Sequence, residues 1–272
     1  MRRIAHIINP VIVPPSSDLY IAQPITFASM KAAREKAAGV DIQLFTAQYK
    51  EDIPLIPPFF TRTPDLERSI LDFGSFKKAK KLPLIKDILD RLYENSDADF
   101  LIYTNVDIAL QPHFYIEVNH LLDHGFDALV INRRTISAAY SSAQELPKMY
   151  QDLGKKHPGY DCFIFKKDLY PRFKLARIVI GTNRIGLTLI TNLISYAHKI
   201  KIFENLHLTF HIGEERSWRE GIFNDYVQFN LAEYLAVSKM IRADIGSFAK
   251  YFKHYRAFGM RRFACGLKHF KL

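Results

Sequence analysis

The stretch Asp97–Leu110, DADFLIYTNVDIAL, constrains the fold of this chain more than any other. Phe100, Leu101, Ile102 and Tyr103 form a short run that is apolar on both faces, with charges before it and polar residues after it. Such a run predicts a strand buried between two layers, as in the parallel sheets of α/β folds. Where the strand stops, the chain presents Thr104, Asn105 and Asp107, and a helix is expected just beyond Pro112. Ligands of open α/β sheets bind outside the carboxyl ends of the strands. A carboxylate there can hold a hard divalent cation, and the cation can hold a diphosphate. Asp and Asn also cap helices and fill turns, so the residues alone leave a purely structural role open.

The flanking sequence repeats the α/β pattern. Ile4–Ile8 predicts a first strand, Ala22–Ala38 a helix with Pro24 near its start and Gly39 after its end, and Val40–Phe45 a second strand. No glycine-rich loop follows the first strand, which excludes the dinucleotide fingerprint and the P-loop. Glu51–Pro64 is rich in proline and predicts an extended loop, followed by a basic cluster at Lys77, Lys78, Lys80 and Lys81. A helix is expected over Pro83–Tyr93, another over His113–His124 and a strand over Ala128–Ile131. Thr135–Gln144 is small and polar and reads as a mobile loop, with a short helix after it over Glu145–Leu153. Cys162–Phe165 reads as a strand, and the stretch Ile178–Lys199 begins with Ile180-Gly181-Thr182-Asn183-Arg184 and continues as a helix apolar nearly all round. Lys201–Phe203 and His207–Phe210 are strand-like. The expected architecture is a single α/β domain over residues 1–240, a mostly parallel central sheet with helices on both faces. A basic helical appendage over 241–272 completes the chain.

Charge narrows the partners. Lys+Arg number 38 against 28 Asp+Glu, a formal charge of +10, which suits an anionic ligand or surface. From Ser247 onwards there are seven Lys/Arg and no acidic residue, interleaved with aromatics. That pattern fits an interfacial helix on an anionic membrane, with RNA or a partner subunit as alternatives. Two cysteines, Cys162 and Cys265, make neither a disulfide framework nor a zinc pattern, so a cytoplasmic location fits. No run reaches the ~20 apolar residues of a spanning helix. Paired arginines at Arg133-Arg134 suit a diphosphate, since guanidinium forks bind oxyanions bidentately. The lysine cluster, Lys81 included, suits phosphates or is a solvated face. An Asp at 161, where a turn feeds a buried strand, is costly unless paired or used.

Together these residues resemble the GT-A class of nucleotide-sugar glycosyltransferases, over roughly Ile4 to Trp218 in layout. Tyr103-Thr104-Asn105-Val106-Asp107-Ile108 is similar to the strand and polar turn of that class's Asp-x-Asp element, with Asn105 in its first acidic position. The resemblance implies a nucleotide-sugar donor held by Asn9, Pro10 and Asn105, with Lys81, Arg133 and Arg134 as the basic residues suited to its diphosphate. It implies a divalent cation, Mn²⁺ or Mg²⁺, on Asp107 and His211, and Asp161 as the catalytic base beside a glycan or lipid-linked acceptor. His207, four residues before His211, is a substitute ligand, and Arg216, Trp218 and Arg219 are candidates for an acceptor groove. The expected activity is a metal-assisted glycosyl transfer, hexosyl in type, for polysaccharide biosynthesis on the cytoplasmic side of a membrane. Two other readings stand beside it. One is a non-catalytic basic protein that binds anionic glycan, membrane or RNA. The other is a sugar nucleotidyltransferase, disfavoured because Asn9-Pro10-Val11-Ile12-Val13-Pro14-Pro15 contains no glycine.

Overall fold

A computed structural model of the chain describes residues 1–214 and 221–246. β1 (Arg2–Ile8), α1 (Leu19–Lys36) and β2 (Val40–Thr46) make a β-α-β unit, the strands parallel from Arg2↔Val40 to Ile8↔Thr46. A short β3 (Thr61–Arg62) extends the sheet, and α2 (Ile85–Asn95) leads into β4 (Phe100–Thr104). Then follow β5 (Ala109–Leu110), α3 (Phe114–Asp123), β6 (Ala128–Ile131) and β7 (Arg134–Ile136). After them come α4 (Leu146–Met149), β8 (Lys155–Lys156), β9 (Cys162–Lys166), α5 (Ile185–Tyr196), β10 (Ile200–Phe203), β11 (Thr209–Ile212) and α6 (Asn224–Ile245). The expected fold class is what is found. α6 passes unbroken through residue 240, and residues 247–272, where the basic appendage was expected, lie outside the described residues. No helix among the described residues is long and apolar enough to cross a membrane.

The strands assemble into a seven-stranded sheet, β10-β6-β9-β4-β1-β2-β3, and a four-stranded sheet, β5-β11-β7-β8. β4 sits at the centre because each of its side chains finds an apolar layer. Leu101 and Tyr103 join a core with Ile88, Leu89 and Phe163, while Phe100 and Ile102 join another with Phe27, Phe114 and Leu129. Full burial of side chains of this size is worth about 1.5–3 kcal/mol each, so this strand anchors both layers. β9 runs antiparallel to both β4 and β6. Its amino-terminal end therefore meets the carboxyl ends of its neighbours. That direction brings Asp161 to the edge where Asn105, Asp107 and Arg133 emerge.

The helix expected to follow Arg184 begins at Ile185. Before it the chain is extended, with Val179 bridged to Leu84 and Ile180 N–H donating to the Pro83 carbonyl. Gly181 at φ 78° and Arg184 at φ 74° hold it off the helical path. Two segments differ from the sequence expectation. The loop expected over Thr135–Gln144 starts as strand β7, and Ser142 and Glu145 form a capping box at its far end. The helix expected over Glu145–Leu153 is only the four residues of α4.

Candidate active site

A cleft of about 1140 Å³ opens along the carboxyl edge of the parallel strands. The segments that follow β1, β2, β4 and β6, the turn before β9 and the turn before α5 all line it. Of the residues nominated from sequence, Lys81, Asn105, Asp107, Arg133, Asp161 and His211 line this one cleft.

Asp107 and His211 come from different segments, brought together by the small sheet. β5 pairs antiparallel with β11 at Phe210↔Ala109, which lays His211 beside the turn that carries Asp107. His211 Nε2 is 3.1 Å from Asp107 Oδ2, and His211 Nδ1 is 2.9 Å from the Gly213 carbonyl. A carbonyl only accepts, so Nδ1 carries a proton and Nε2 is the nitrogen turned to the carboxylate. A metal-ligating histidine is oriented in the same way by a partner on its other nitrogen. Burial pushes the Asp107 carboxyl up, but the His211 imidazolium and then Arg133 outweigh it and hold the carboxyl below its usual range. Burial pulls His211 down, and Asp107 more than reverses that. The second carboxylate oxygen, Asp107 Oδ1, is buried with no hydrogen-bond partner among the described residues. These donors fit a hard cation that draws its other ligands from a diphosphate and water. No trio of His, Cys, Asp or Glu side chains gathers at one point among the described residues, so a cation here would rest on this pair.

Arg133 and Asp161 form the second pair. Both are buried, and Arg133 Nη1 donates to Asp161 Oδ1 over 3.2 Å. Asp161 Oδ2 and Arg133 Nε have no hydrogen-bond partner among the described residues. Burial raises the Asp161 carboxyl, and Asp107 nearby adds to the rise against the pull of Arg133 and His211, leaving it above its usual range. A carboxylate with a raised pKa and an unshared oxygen is a competent proton acceptor.

The remaining nominees are placed as follows. Asn105 Oδ1 accepts from the Tyr103 hydroxyl at 2.7 Å, in the cleft floor. Lys81 Nζ is 2.5 Å from Glu51 Oε1 and 3.8 Å above the Tyr49 ring, so its charge at the rim is already paired. Asn9 and Pro10 are buried behind the cleft, Asn9 Nδ2 donating to the Ala47 carbonyl at 2.6 Å, and it is the following Val11 and Ile12 that face the cleft. Arg134 lies outside it, donating to the carbonyls of Leu153 and Gly154 at 2.7 and 2.9 Å and thereby tying β7 to the segment that enters β8. His207 Nε2 contacts Gln111 Nε2 at 2.9 Å, away from Asp107. Arg216, Trp218 and Arg219 lie outside the described residues.

Sequence reasoning missed the groups that shape the loop after β1. Gln23 on α1 brackets Val11, accepting from its N–H and donating to its carbonyl at 2.9 Å each. Asp52 Oδ1 accepts from the Ile12 N–H at 2.8 Å. Neither partner has a local signal, because each acts on backbone far along the chain.

No family model matches the sequence, and no curated protein matches it. Solved structures do. S. aureus TarS 1–349 in complex with UDP-GlcNAc aligns with a TM-score of 0.50 at 9% identity, over 86% of this chain and 66% of that one. Glucosyl-3-phosphoglycerate synthase from Mycobacterium tuberculosis, in complex with Mn²⁺, UDP and glucosyl-3-phosphoglycerate, aligns with a TM-score of 0.45 at 14% identity, over 85% of this chain and 80% of that one. A mycobacterial protein aligns at 0.49 and 14% identity, over 85% and 74%. This chain thus spans just under two thirds of the TarS fragment. Its fold is that of the GT-A nucleotide-sugar glycosyltransferases.

Proposed function

We propose that the protein is a glycosyltransferase that moves a sugar, a hexose by preference, from a nucleoside-diphosphate donor to a hydroxyl of a glycan or lipid-linked acceptor. The observation that carries this reading is the convergence of Asp107, His211, Arg133 and Asp161 on one cleft edge. Two of their carboxylate oxygens, Asp107 Oδ1 and Asp161 Oδ2, are buried and unshared among the described residues. The TarS fragment holds UDP-GlcNAc on the same fold, which supports a sugar nucleotide as the donor.

In this reading the donor lies across the carboxyl ends of β1, β2 and β4, its diphosphate against Arg133. A divalent cation on Asp107 and His211 would offset the charge that grows on the departing diphosphate. Asp161 Oδ2 takes the proton of the acceptor hydroxyl. The acceptor oxygen then bonds to the anomeric carbon, and the bond from that carbon to the diphosphate breaks, its electron pair leaving with the nucleoside diphosphate. Attack opposite the leaving group makes the transfer inverting. Arg133, drawn toward the diphosphate, loosens its hold on Asp161 and leaves a stronger base. A station on the cytoplasmic face of a membrane is the part of this proposal that rests on charge alone.

Thermal shift against nucleoside diphosphates and sugar nucleotides, with and without Mn²⁺, tests it. A metal-dependent rise in melting temperature with one base, lost in Asp107→Ala, supports the donor site. No response to any nucleotide at millimolar concentration overturns it and leaves a non-catalytic basic binding protein.

A further inference from the structure

The loop after β1 and the first turn of α1 put apolar side chains into solvent at the rim of the cleft. Seven large apolar side chains are exposed among the described residues, and three of them, Ile12, Tyr20 and Ile21, lie close together in the chain. Ile12 is 54% exposed and Tyr20 53%, and Pro14 and Pro15 between them are exposed as well. The backbone of this knob is fixed. Gln23 brackets Val11, Asp52 Oδ1 accepts from the Ile12 N–H at 2.8 Å, and the Ser17 N–H donates to the Pro14 carbonyl at 2.9 Å. Asp18 Oδ1 then accepts from the Leu19 N–H at 2.9 Å and starts the helix. Clustered apolar side chains held out in water mark a surface that meets a partner.

The same rim carries a strip of positive charge. Lys50, Lys77, Lys78, Lys80 and Lys81 are all exposed. Consecutive residues join strip to knob, since Asp52 holds Ile12 while Glu51 Oε1 lies 2.5 Å from Lys81 Nζ. Residues 77–81 form no helix or strand, yet α6 fixes them. Asp225 Oδ2 accepts from the Lys77 N–H and the Tyr226 hydroxyl from the Lys80 N–H, both at 2.8 Å, and that hydroxyl donates to the Lys78 carbonyl at 2.6 Å. Phe76 stacks on Tyr226 with ring centres 4.4 Å apart. The five lysines stand against Asp18, Glu51 and Asp225, with Asp52 buried beneath, so the rim keeps an excess of positive charge.

We propose that this rim of the cleft docks on an anionic lipid bilayer. Ile12, Tyr20 and Ile21 enter the boundary between headgroups and acyl chains, and the lysines meet the lipid phosphates. Apolar and cationic groups act together in this way at such surfaces, and tyrosine favours that depth. A protein partner would need acidic groups matched to the strip, whereas the phosphates of a bilayer present charge wherever the lysines fall. The docking goes beyond the transfer chemistry and does not depend on it. Where transfer takes place, the cleft opens at headgroup level, which favours a lipid-linked acceptor over a free glycan.

An environment-sensitive nitrobenzoxadiazole dye on the full chain tests it, attached in turn at Ile12→Cys, Tyr20→Cys and Met240→Cys. Each is made in a Cys265→Ser background, and Cys162 is buried and stays unlabelled. Met240 is 47% exposed, close to Ile12, and lies about 20 Å along α6 from Tyr226. The probe is a vesicle of phosphatidylcholine with about a third phosphatidylglycerol. The dye at positions 12 and 20 should brighten and shift to the blue, while the dye at 240 stays unchanged. Binding should be about tenfold tighter or more than to pure phosphatidylcholine. The triple variant Lys50→Gln, Lys77→Gln, Lys78→Gln should weaken it by about tenfold or more with the melting temperature unchanged. No response at 12 and 20 overturns the docking, and so does a response at 240 alone, which puts the contact at the other end of α6. Equal affinity for neutral vesicles, or undiminished binding by the triple variant, overturns it as well. The response of the chain to UDP and Mn²⁺ is read separately, so failure of the donor reading and failure of the docking do not mask each other.

Discussion

His6 is fully buried on β1, its ring nitrogens each 2.9 Å from a hydroxyl, Tyr115 on one side and Thr104 on the other. Burial pulls its pKa down to about 3. The folded state thus favours the neutral ring, and the unfolded state binds the extra proton between about pH 6.5 and about pH 3. Stability from this group is complete above that window and is lost as pH falls through it, at up to about 1.4 kcal/mol per pH unit. Chemical denaturation of the parent and His6→Gln at several pH values should show the parent losing its advantage below pH 6; parallel profiles would count against the assignment. Asp161 presents a different residue-scale question, because its pKa is raised while one oxygen stays unshared. Asp161→Asn keeps the shape and an acceptor for Arg133 but removes the proposed base. It should lower kcat by about 10²–10⁴-fold with donor affinity within a few-fold of the parent. A variant that instead lost donor binding and kept kcat would make Asp161 a positioning residue for Arg133.

At the scale of elements, the site depends on how α5 and the small sheet are seated. Gly186 lies in the first turn of α5, where alanine would ordinarily gain about 1 kcal/mol from helix propensity. A Cβ there would sit 2.6 Å from the Tyr160 backbone carbonyl, which has no flexible end to swing away. The clash decides the sign: Gly186→Ala should cost about 1–3 kcal/mol and reduce activity more than the stability loss explains, because the Tyr160–Asp161 turn must move. Denaturant midpoints measured beside turnover separate the two effects. The same elements show what sequence could and could not reveal. β4, β6 and β9 were legible as apolar runs bounded by polar residues and β2 by its apolar–polar alternation after Gly39, and Asp107, Arg133 and Asp161 stood out beside the ends of such strands. The direction of β9 was not legible, since a strand apolar on both faces reads the same either way. β5 and β8 are two residues long and carry no periodicity, so the pairing that delivers His211 to Asp107 had no local signal. The pairing of the segment before α5 was not legible either. Its extended path is set by Leu84 and Pro83, about a hundred residues earlier in the chain.

At the scale of the whole molecule, the site straddles two sheets. Asp161 and Arg133 stand at the edge of the seven-stranded sheet, while His211 belongs to the four-stranded one and Asp107 to the turn between β4 and β5. β5 holds β11 through only two residue pairs, so His211 depends on a short antiparallel contact, backed by β7. On the proposed function a donor bound between the sheets would join them, and a ligand that binds only the folded state stabilises it by mass action. At a hundredfold excess over Kd the gain is about 2.7 kcal/mol, or roughly 5–10 °C in melting temperature for a chain of this size. The gain should not be uniform. Amides of β11 and of the Asp107–Leu110 segment, which rest on pairings of two or three residues, should exchange more slowly when UDP and Mn²⁺ are added, and by a larger factor than those of β1 and β4, which are already buried on both faces. Hydrogen–deuterium exchange with peptide resolution reads this directly, and His211→Ala should abolish the added protection of β11 while leaving the exchange of β4 unchanged. Equal slowing across both sheets would mean that the ligand stabilises the fold from one sheet alone, and the bridge between Asp107 and His211 would then have no part in holding it.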